Sequence, residues 1–236
     1  MRDWIKDEEY FAKYIFDEHR RIKKCEERLK ANTVPERRIN DVKCVINAMK
    51  TNILLAEYSR GAEVKSLRDD FIRLYDEFVM YFADDLFITD IYDTMSLAIL
   101  FDIGKERFQK MVQAAEKQHR VDALVKWYSN YMLNNEIGKI GDDFIYGKPY
   151  TYLADVINDR ENSVENLETY LRKYWYKGHR KEPWYNVHKT DLDAYIGYWS
   201  FEAGAIAKIL NLDDECLKGA KYYPYDLAHF KADDCK

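Results

Sequence analysis

Turn-forming residues are scarce in this chain of 236 residues, which contains only 9 glycines and 4 prolines. Glycine and proline supply most tight turns and interrupt helices, so their scarcity favours long helices over a sheet of many short strands. Hydrophobic residues make up 47% of the chain, which is enough to build a core and argues against disorder. The length allows one large domain or two small ones.

Closely spaced cysteines and long apolar runs are also missing. Cys25, Cys44, Cys216 and Cys235 form no C-x-x-C pair, which argues against a zinc site and predicts reduced thiols. No apolar run approaches the length of a membrane span, and the first residues are charged and lack a signal-peptide pattern. We therefore expect a cytoplasmic protein with no membrane association, no metal and no cofactor.

An excess of basic residues is absent as well, because 42 acidic residues outnumber 37 basic ones and give a net charge of −5. Phosphate binding requires a basic surface, so nucleic acid is not expected as the direct partner. A basic protein partner is compatible with this charge. Aromatic residues, by contrast, reach 15% and include 20 tyrosines. Most are expected in a tyrosine-rich core with hydroxyls near the surface, and the alternative is an aromatic binding face.

Three long amphipathic helices are predicted in the first third of the chain: one over residues 3–31, one that carries an apolar stripe from Ile39 to Ala56 and stops at Gly61, and one that carries a stripe from Val64 to Tyr81. Apolar residues recur there three and four apart, and Pro35 and Gly61 mark the breaks between the helices. Short connections between long helices predict that they pack as antiparallel neighbours.

Further helices are predicted by the same spacing, and one of them, IYDTMSLAILF, is apolar on nearly all sides and should be buried. These helices are expected at residues 88–101, 105–118, 121–132, 150–158 and 164–176, with a loop at 179–189.

A connector is predicted at residues 134–148, which hold three glycines and no helical period. It gives a predicted division into an N-terminal helical bundle at residues 1–133 and a C-terminal helical domain at 134–236. The predicted fold is all-α, with the antiparallel bundle packed tightly on the C-terminal half.

Residues 190–230 carry the most informative pattern. Thr190 followed by Asp193 predicts a helix N-terminus, and apolar residues spaced three and four apart predict about five turns that end at Asn211. Gly197 and Gly204 should leave a shallow strip on this helix where another helix can approach closely.

The stretch YIGYWSFEAGAIAKILNLDD followed by YYPYDLAHF resembles the C-terminal half of the immunity proteins (PoNi) that are paired with polymorphic nuclease effectors (PoNe), which are bacterial DNase toxins. The resemblance implies an all-α protein without enzymatic activity that binds and neutralises one cognate DNase toxin in the cytoplasm. The residues that carry it are expected to be mainly structural, and we call them the signature residues: Tyr195, Tyr198, Trp199, Glu202, Tyr223, Pro224, Tyr225 and Asp226.

Toxin recognition is expected elsewhere, on acidic and loop surfaces, because specificity should vary between cognate pairs. A helical adaptor without a toxin partner is the alternative, and a homodimer stays open. The candidate partner-binding residues are Asp84, Asp85, Asp142 and Asp143, with Trp184 and Tyr185 extending an aromatic patch.

No catalytic constellation is predicted. His188, Glu202 and His229 lack metal-ligand spacing, so structural hydrogen bonds are expected for the histidines. Glu63-Val64-Lys65 matches part of a nuclease motif but opens a predicted helix instead of a strand. Glu202 lies near the apolar face of its helix and therefore needs a partner, such as a tyrosine hydroxyl, an arginine or a backbone amide.

Overall fold

A computed structural model describes residues 1–81 and 87–232 of the chain. All regular secondary structure in these two ranges is helical and none of it is strand, which confirms the predicted all-α fold class. No helix within them is long and apolar enough to cross a membrane.

The chain forms two compact units, each of which combines segments that are separate in sequence. Unit 1 consists of Met1–Ala83 and Asn186–Tyr198, and unit 2 consists of Asp84–Tyr185 and Trp199–Lys236. The predicted division at residues 133 and 134 stays a prediction.

Unit 1 contains the three long helices predicted from the apolar spacing: α1 at Glu8–Lys30, α2 at Ile39–Arg60 and α3 at Val64–Tyr81. α1 contacts α2, and α2 contacts α3. The Asp7 carboxylate caps α1 by accepting a hydrogen bond from the Tyr10 amide at 2.9 Å, and Gly61 ends α2 at a φ of +110°.

The core between α1 and α2 follows the apolar stripes read from the sequence. Its buried centre is Ile22, Ile46 and Met49, and four partly buried side chains pack around it: Cys25, Leu29, Val42 and Ile53.

The second segment of unit 1, Asn186–Tyr198, is not the start of a helix, and we call it the strap. The predicted helix N-terminus at Thr190 and Asp193 is wrong, because after a short 3-10 turn at Val187–Lys189 the chain stays non-helical until Phe201. Leu192, an apolar residue within the predicted helix, has 68% of its surface exposed.

Two local features keep the strap out of a helix. Gly197 has a φ of +104°, which a right-handed helix cannot contain. The strap's backbone groups also bind side chains of unit 1: the Tyr195 amide donates to the Tyr10 hydroxyl at 2.9 Å, and the Ile196 carbonyl accepts from the Ser59 hydroxyl at 2.6 Å. These bonds replace the i to i−4 bonds of a helix.

Unit 2 contains the remaining helices, and its central contact joins α4 to α10. α4 is buried along most of its surface, as its apolar sequence predicted. The elements are α4 at Ile88–Leu100, α5 at Lys105–Lys117, α6 at Ala123–Asn134, α7 at Leu153–Asn158, α8 at Ser163–Thr169, a π-helical turn at Tyr170–Trp175, α9 at Tyr176–Gly178, α10 at Phe201–Leu210 and α11 at Tyr225–Ala228.

Gly204 on α10 allows the close approach that the sequence predicted. A Cβ atom at this position would lie 2.8 Å from the Pro224 ring and 3.4 Å from the Leu100 side chain, so no larger residue fits without a shift. The same prediction for Gly197 is wrong, because that glycine lies in the strap.

The connector after α6 is held at one end by the buried Asp122. Its carboxylate caps α6 by accepting from the amides of Leu124 at 3.1 Å and Val125 at 3.2 Å. It also accepts from the Ile145 amide at 2.9 Å and from the Tyr92 hydroxyl. The connector therefore contains no regular helix, as predicted, and its Ile145 end is fixed to the Asp122 carboxylate.

Candidate partner-binding site

Glu202 lies at the centre of unit 2 and is 1% exposed. Its carboxylate accepts hydrogen bonds from the Tyr170 hydroxyl at 2.6 Å, from the Ser200 hydroxyl at 2.9 Å and from the Trp175 side chain. Burial raises the pKa of this carboxyl, and the three donors oppose that shift. The prediction that Glu202 needs a partner such as a tyrosine hydroxyl is confirmed.

The YYPYD segment is built around a second buried carboxylate, Asp214. It accepts a hydrogen bond from the Tyr223 hydroxyl, and the His229 Nε2 atom lies 2.7 Å from its other oxygen. Pro224 is buried and packs on α10, as the Gly204 geometry shows. Of the signature residues in this segment, Tyr225 is half-buried and Asp226 is exposed.

Two signature tyrosines belong to the strap: Tyr195 bonds it to the N-terminal segment of unit 1, and Tyr198 makes a contact within the strap itself. The Tyr195 hydroxyl donates to the buried Asp3 carboxylate at 2.5 Å, and the Tyr198 hydroxyl lies 2.8 Å from Nδ1 of His188. Trp199 is the first residue of the following segment and is buried in unit 2. Six of the eight signature residues are therefore buried, which is the placement expected of structural residues.

The predicted acidic contacts fall into different surroundings. Asp84 and Asp85 lie outside the described residues. Asp142 and Asp143 are both exposed, but the Asp143 carboxylate pairs with the Lys126 ammonium group at 2.8 Å, and this bond lowers its pKa. The Asp142 carboxylate makes no hydrogen bond or ion pair within the described ranges. Of these two neighbours, Asp142 is the one available to a partner.

Trp184 and Tyr185 lie in a half-buried aromatic cluster of unit 2. The Trp184 ring is 5.6 Å from the Trp175 ring and 5.1 Å from the His179 ring. Tyr176 is 4.6 Å from Tyr185 and stacks on Tyr222 at 5.4 Å, which brings distant parts of the sequence together. The members that keep partial exposure form what we call the aromatic rim: Tyr176, Trp184, Tyr185 and Tyr222.

A group of carboxylates beside this cluster was missed by the sequence analysis. Every residue of α4 is buried except Asp90, Asp93 and Thr94, which are spaced three and four apart and share one face of the helix. Glu182 lies near this face and accepts a hydrogen bond from the Tyr146 hydroxyl at 2.7 Å. We call Asp90, Asp93 and Glu182 the acidic recess. The available signal was two acidic residues one turn apart on an otherwise apolar helix.

The electrostatics of the acidic recess differ from those of the exposed acidic residues. Burial raises the pKa of Asp90 to about 6, against a hydrogen bond from the Phe87 amide, and the nearby Glu182 adds to the increase. Burial also raises the pKa of Asp93 well above its usual range, with further contributions from Glu202, Asp90 and Glu182. Among the described residues, no lysine or arginine pairs with these carboxylates, so the recess lacks a counter-charge of its own.

Three histidines of the C-terminal third each have hydrogen-bond partners. The Nδ1 atom of His179 lies 2.7 Å from the Trp175 carbonyl and Nε2 lies 3.1 Å from the Tyr150 hydroxyl, while His188 and His229 have the partners given above. The expected hydrogen bonds of the histidines are therefore present. Over residues 1–81 and 87–232, no group of three His, Cys, Asp or Glu side chains could hold a metal ion.

Val64 begins α3, so the tripeptide Glu63-Val64-Lys65 lies at the start of a helix, as predicted. Cys25, Cys44 and Cys216 are free thiols, in agreement with the expectation of reduced cysteines, and Cys235 lies outside the described residues.

Comparison with known protein families connects this architecture to one family. The family model for the N-terminal domain of the PoNe immunity proteins matches residues 2–113, and the model for their C-terminal domain matches residues 120–227. The resemblance read from residues 190–230 therefore extends to the N-terminal half as well. No curated protein and no solved structure matches the chain. Because the two family models cover nearly all of it, the chain belongs to the PoNe immunity protein (PoNi) family.

Proposed function

We propose that this immunity protein binds one cognate DNase toxin in the cytoplasm and neutralises it by covering the toxin's active or DNA-binding surface. The observation that carries the proposal is the match of both halves of the chain to the PoNe immunity proteins. An immunity protein acts by occupancy, so it requires a tight interface and no chemistry of its own.

Charge supports the choice of a DNA-binding partner. A DNase has to present positive charge to the phosphate backbone, and this chain carries a net charge of −5. Unpaired carboxylates such as Asp142 and those of the acidic recess can occupy the basic surface that DNA would use. Complementary charge also speeds association, which matters for neutralising a toxin before it cuts the chromosome.

The direct test is co-expression of the nuclease domain encoded beside this protein, in bacteria that lack any other immunity protein. We expect cells to survive only when the immunity protein is present, and the two purified proteins to form a 1:1 complex that weakens as salt rises. Cell death at the same rate with and without this protein, together with no complex at low salt, would reject the proposal.

A second candidate function is a helical adaptor without a toxin partner. The half-buried aromatic rim favours it, because tyrosine and tryptophan are enriched at protein interfaces. This function predicts self-association, or binding to a protein that is not a nuclease, and no protection in the survival assay. Analytical ultracentrifugation of the isolated protein distinguishes a homodimer from the monomer expected of a 1:1 toxin inhibitor.

A further inference from the structure

We propose that the acidic recess formed by Asp90, Asp93 and Glu182 receives one arginine side chain of the partner protein, while the aromatic rim contacts the same partner. The inference rests on the proposed function, because it assigns the place where the toxin's basic surface is engaged. It names residues of unit 2 other than the acidic pair Asp142 and Asp143.

The first step is the geometry of α4. Ten of its residues are buried, and the only open face is the one that carries Asp90, Asp93 and Thr94. Asp90 and Asp93 therefore lie on the one face of α4 that is not fully buried. Glu182 adds a third carboxylate from the loop between α9 and the strap, held by the Tyr146 hydroxyl at 2.7 Å.

The second step is the lack of a partner for Asp93. Its carboxylate makes no hydrogen bond or ion pair within the described part of the chain, although burial is the largest cause of its raised pKa. The residue nonetheless keeps partial exposure, so Asp93 is enclosed by protein and still open to an incoming group. The fully buried carboxylates are different, because each has donors within its own unit: Asp3, Glu18, Asp122, Glu202 and Asp214.

A buried carboxyl without donors costs free energy, and a bound cation would remove that cost. Since every fully buried carboxylate in the described ranges has donors, the partly buried Asp93 stands apart, and its lack of donors indicates a group that is supplied from outside. The free protein is then less stable than it would be if this carboxyl group had a partner, and complex formation supplies the missing interactions.

The third step is the choice of cation. No three acidic, histidine or cysteine side chains in the described ranges lie close enough together to hold a metal ion. The recess therefore suits an organic cation whose hydrogen-bond donors are distributed over several atoms. A guanidinium group has five N–H donors in a planar fork and binds carboxylates in pairs. It also stacks on aromatic faces, and the aromatic rim is continuous with the recess because the His179 ring lies 5.8 Å from Tyr146 and 5.1 Å from Trp184.

Binding of an arginine should release a proton. Burial and the nearby carboxylates raise the pKa of Asp93 in the free protein, whereas a guanidinium group favours the ionised carboxylate and lowers this pKa. Affinity should therefore increase as pH rises. The titratable groups around Asp93 are all acidic or neutral in their ordinary states: Asp90 on the same helix, Glu182 in the following loop, Glu202 on α10, Tyr128 on α6 and Tyr150 before α7.

The test uses the full chain and the nuclease domain encoded beside it. Calorimetric titration in two buffers of different ionisation enthalpy measures both the affinity and the number of protons released. Wild-type protein should release a proton on binding, and Asp93→Asn should bind at least about tenfold more weakly and release fewer protons. Glu161→Gln is the matched control, because Glu161 is exposed in the turn between α7 and α8 and should leave both quantities unchanged.

A double-mutant cycle identifies the occupant. Arginine-to-alanine variants of the nuclease are titrated against wild-type and Asp93→Asn protein. One of these nuclease variants should bind the wild-type protein more weakly than the unmutated nuclease does, but should bind Asp93→Asn protein about as well as the unmutated nuclease does. Wild-type affinity and proton release in Asp93→Asn, or additive losses at every arginine, would overturn the inference while leaving the immunity function intact. Absence of binding by the wild type would instead reject the proposed function. Circular dichroism confirms that Asp93→Asn is folded.

Discussion

Glu202 on α10 and Asp93 on α4 are neighbouring carboxyl groups of unit 2, and burial raises the pKa of both. Glu202 receives hydrogen bonds from Tyr170, Ser200 and Trp175, whereas Asp93 receives none within the described residues. The difference separates two uses of an acidic group whose pKa is raised by the surrounding protein. A carboxylate with a complete set of donors holds the fold together, and one without donors is kept ready for a partner at some cost in stability.

The largest effect is expected at a fully satisfied carboxylate. Asp122→Ala leaves three backbone amides and the Tyr92 hydroxyl without their acceptor, so the free energy of unfolding should fall by about 3 kcal/mol or more. Chemical denaturation measures the loss. Asp143→Ala removes only an exposed ion pair with Lys126 and should cost much less, because solvent and salt screen a pair on the surface. Equal losses in the two variants would show that the donors of Asp122 contribute little.

The next effect concerns the donors of Glu202. Tyr170→Phe removes the hydroxyl that lies 2.6 Å from the carboxylate and should lower the free energy of unfolding by about 1.5–3 kcal/mol, without changing toxin neutralisation below the melting temperature. Tyr152→Phe is the control, because the Tyr152 ring stacks on Tyr174 while its hydroxyl has no partner in the described ranges. A loss of protection in stable Tyr170→Phe protein would mean that Glu202 acts directly on the toxin.

A change of opposite sign is expected in the acidic recess. The pKa of Asp90 is about 6 in the folded protein and near 4 in the unfolded chain, so the folded state binds more protons between these values. Wild-type stability should therefore fall as pH rises from about 4 to about 6. Asp90→Asn removes this loss and should raise the free energy of unfolding above pH 6 by about 1–3 kcal/mol.

Denaturation curves at pH 4 and pH 7 check this prediction. The difference between Asp90→Asn and wild type should be small at pH 4 and largest at pH 7. A destabilised Asp90→Asn protein at both pH values would show that Asp90 is structural, and the contrast with Glu202 would then be lost.

The smallest effect is expected on the exposed surface. Asp142→Asn should slow association with the nuclease about two- to fivefold at low salt, and Asp143→Asn should slow it less because Lys126 already neutralises that carboxylate. Stopped-flow measurements at two salt concentrations distinguish the pair. Identical rates for the two variants and wild type would place the toxin away from the connector.

The helices of unit 1 could be predicted from sequence because their pattern is local. Apolar residues recur at helical spacing, and Pro35, Gly61 and the start at Val64 set boundaries that the structure reproduces closely. Glu202 could also be anticipated, since an acidic residue on an apolar face requires a hydrogen-bond partner.

The strap could not be predicted in the same way, because its conformation depends on residues far away in sequence. Tyr195 and Trp199 are spaced as on a helix, yet Tyr10 and Ser59 take up the backbone groups between them. The acidic recess depends likewise on a non-local approach, since Glu182 and the face of α4 meet only in the folded unit. The pair Asp90 and Asp93 was visible, but only the structure shows that one face of an enclosed helix stays open.

The strap also determines when unit 1 can complete its folding during synthesis. Asp3 and Ser59 leave the ribosome early, but their partners Tyr195 and Ile196 are translated only after all of α4 to α9. The N-terminal helices must wait for this late segment before their unit is complete. A fragment that stops at residue 133 would therefore contain neither unit in full.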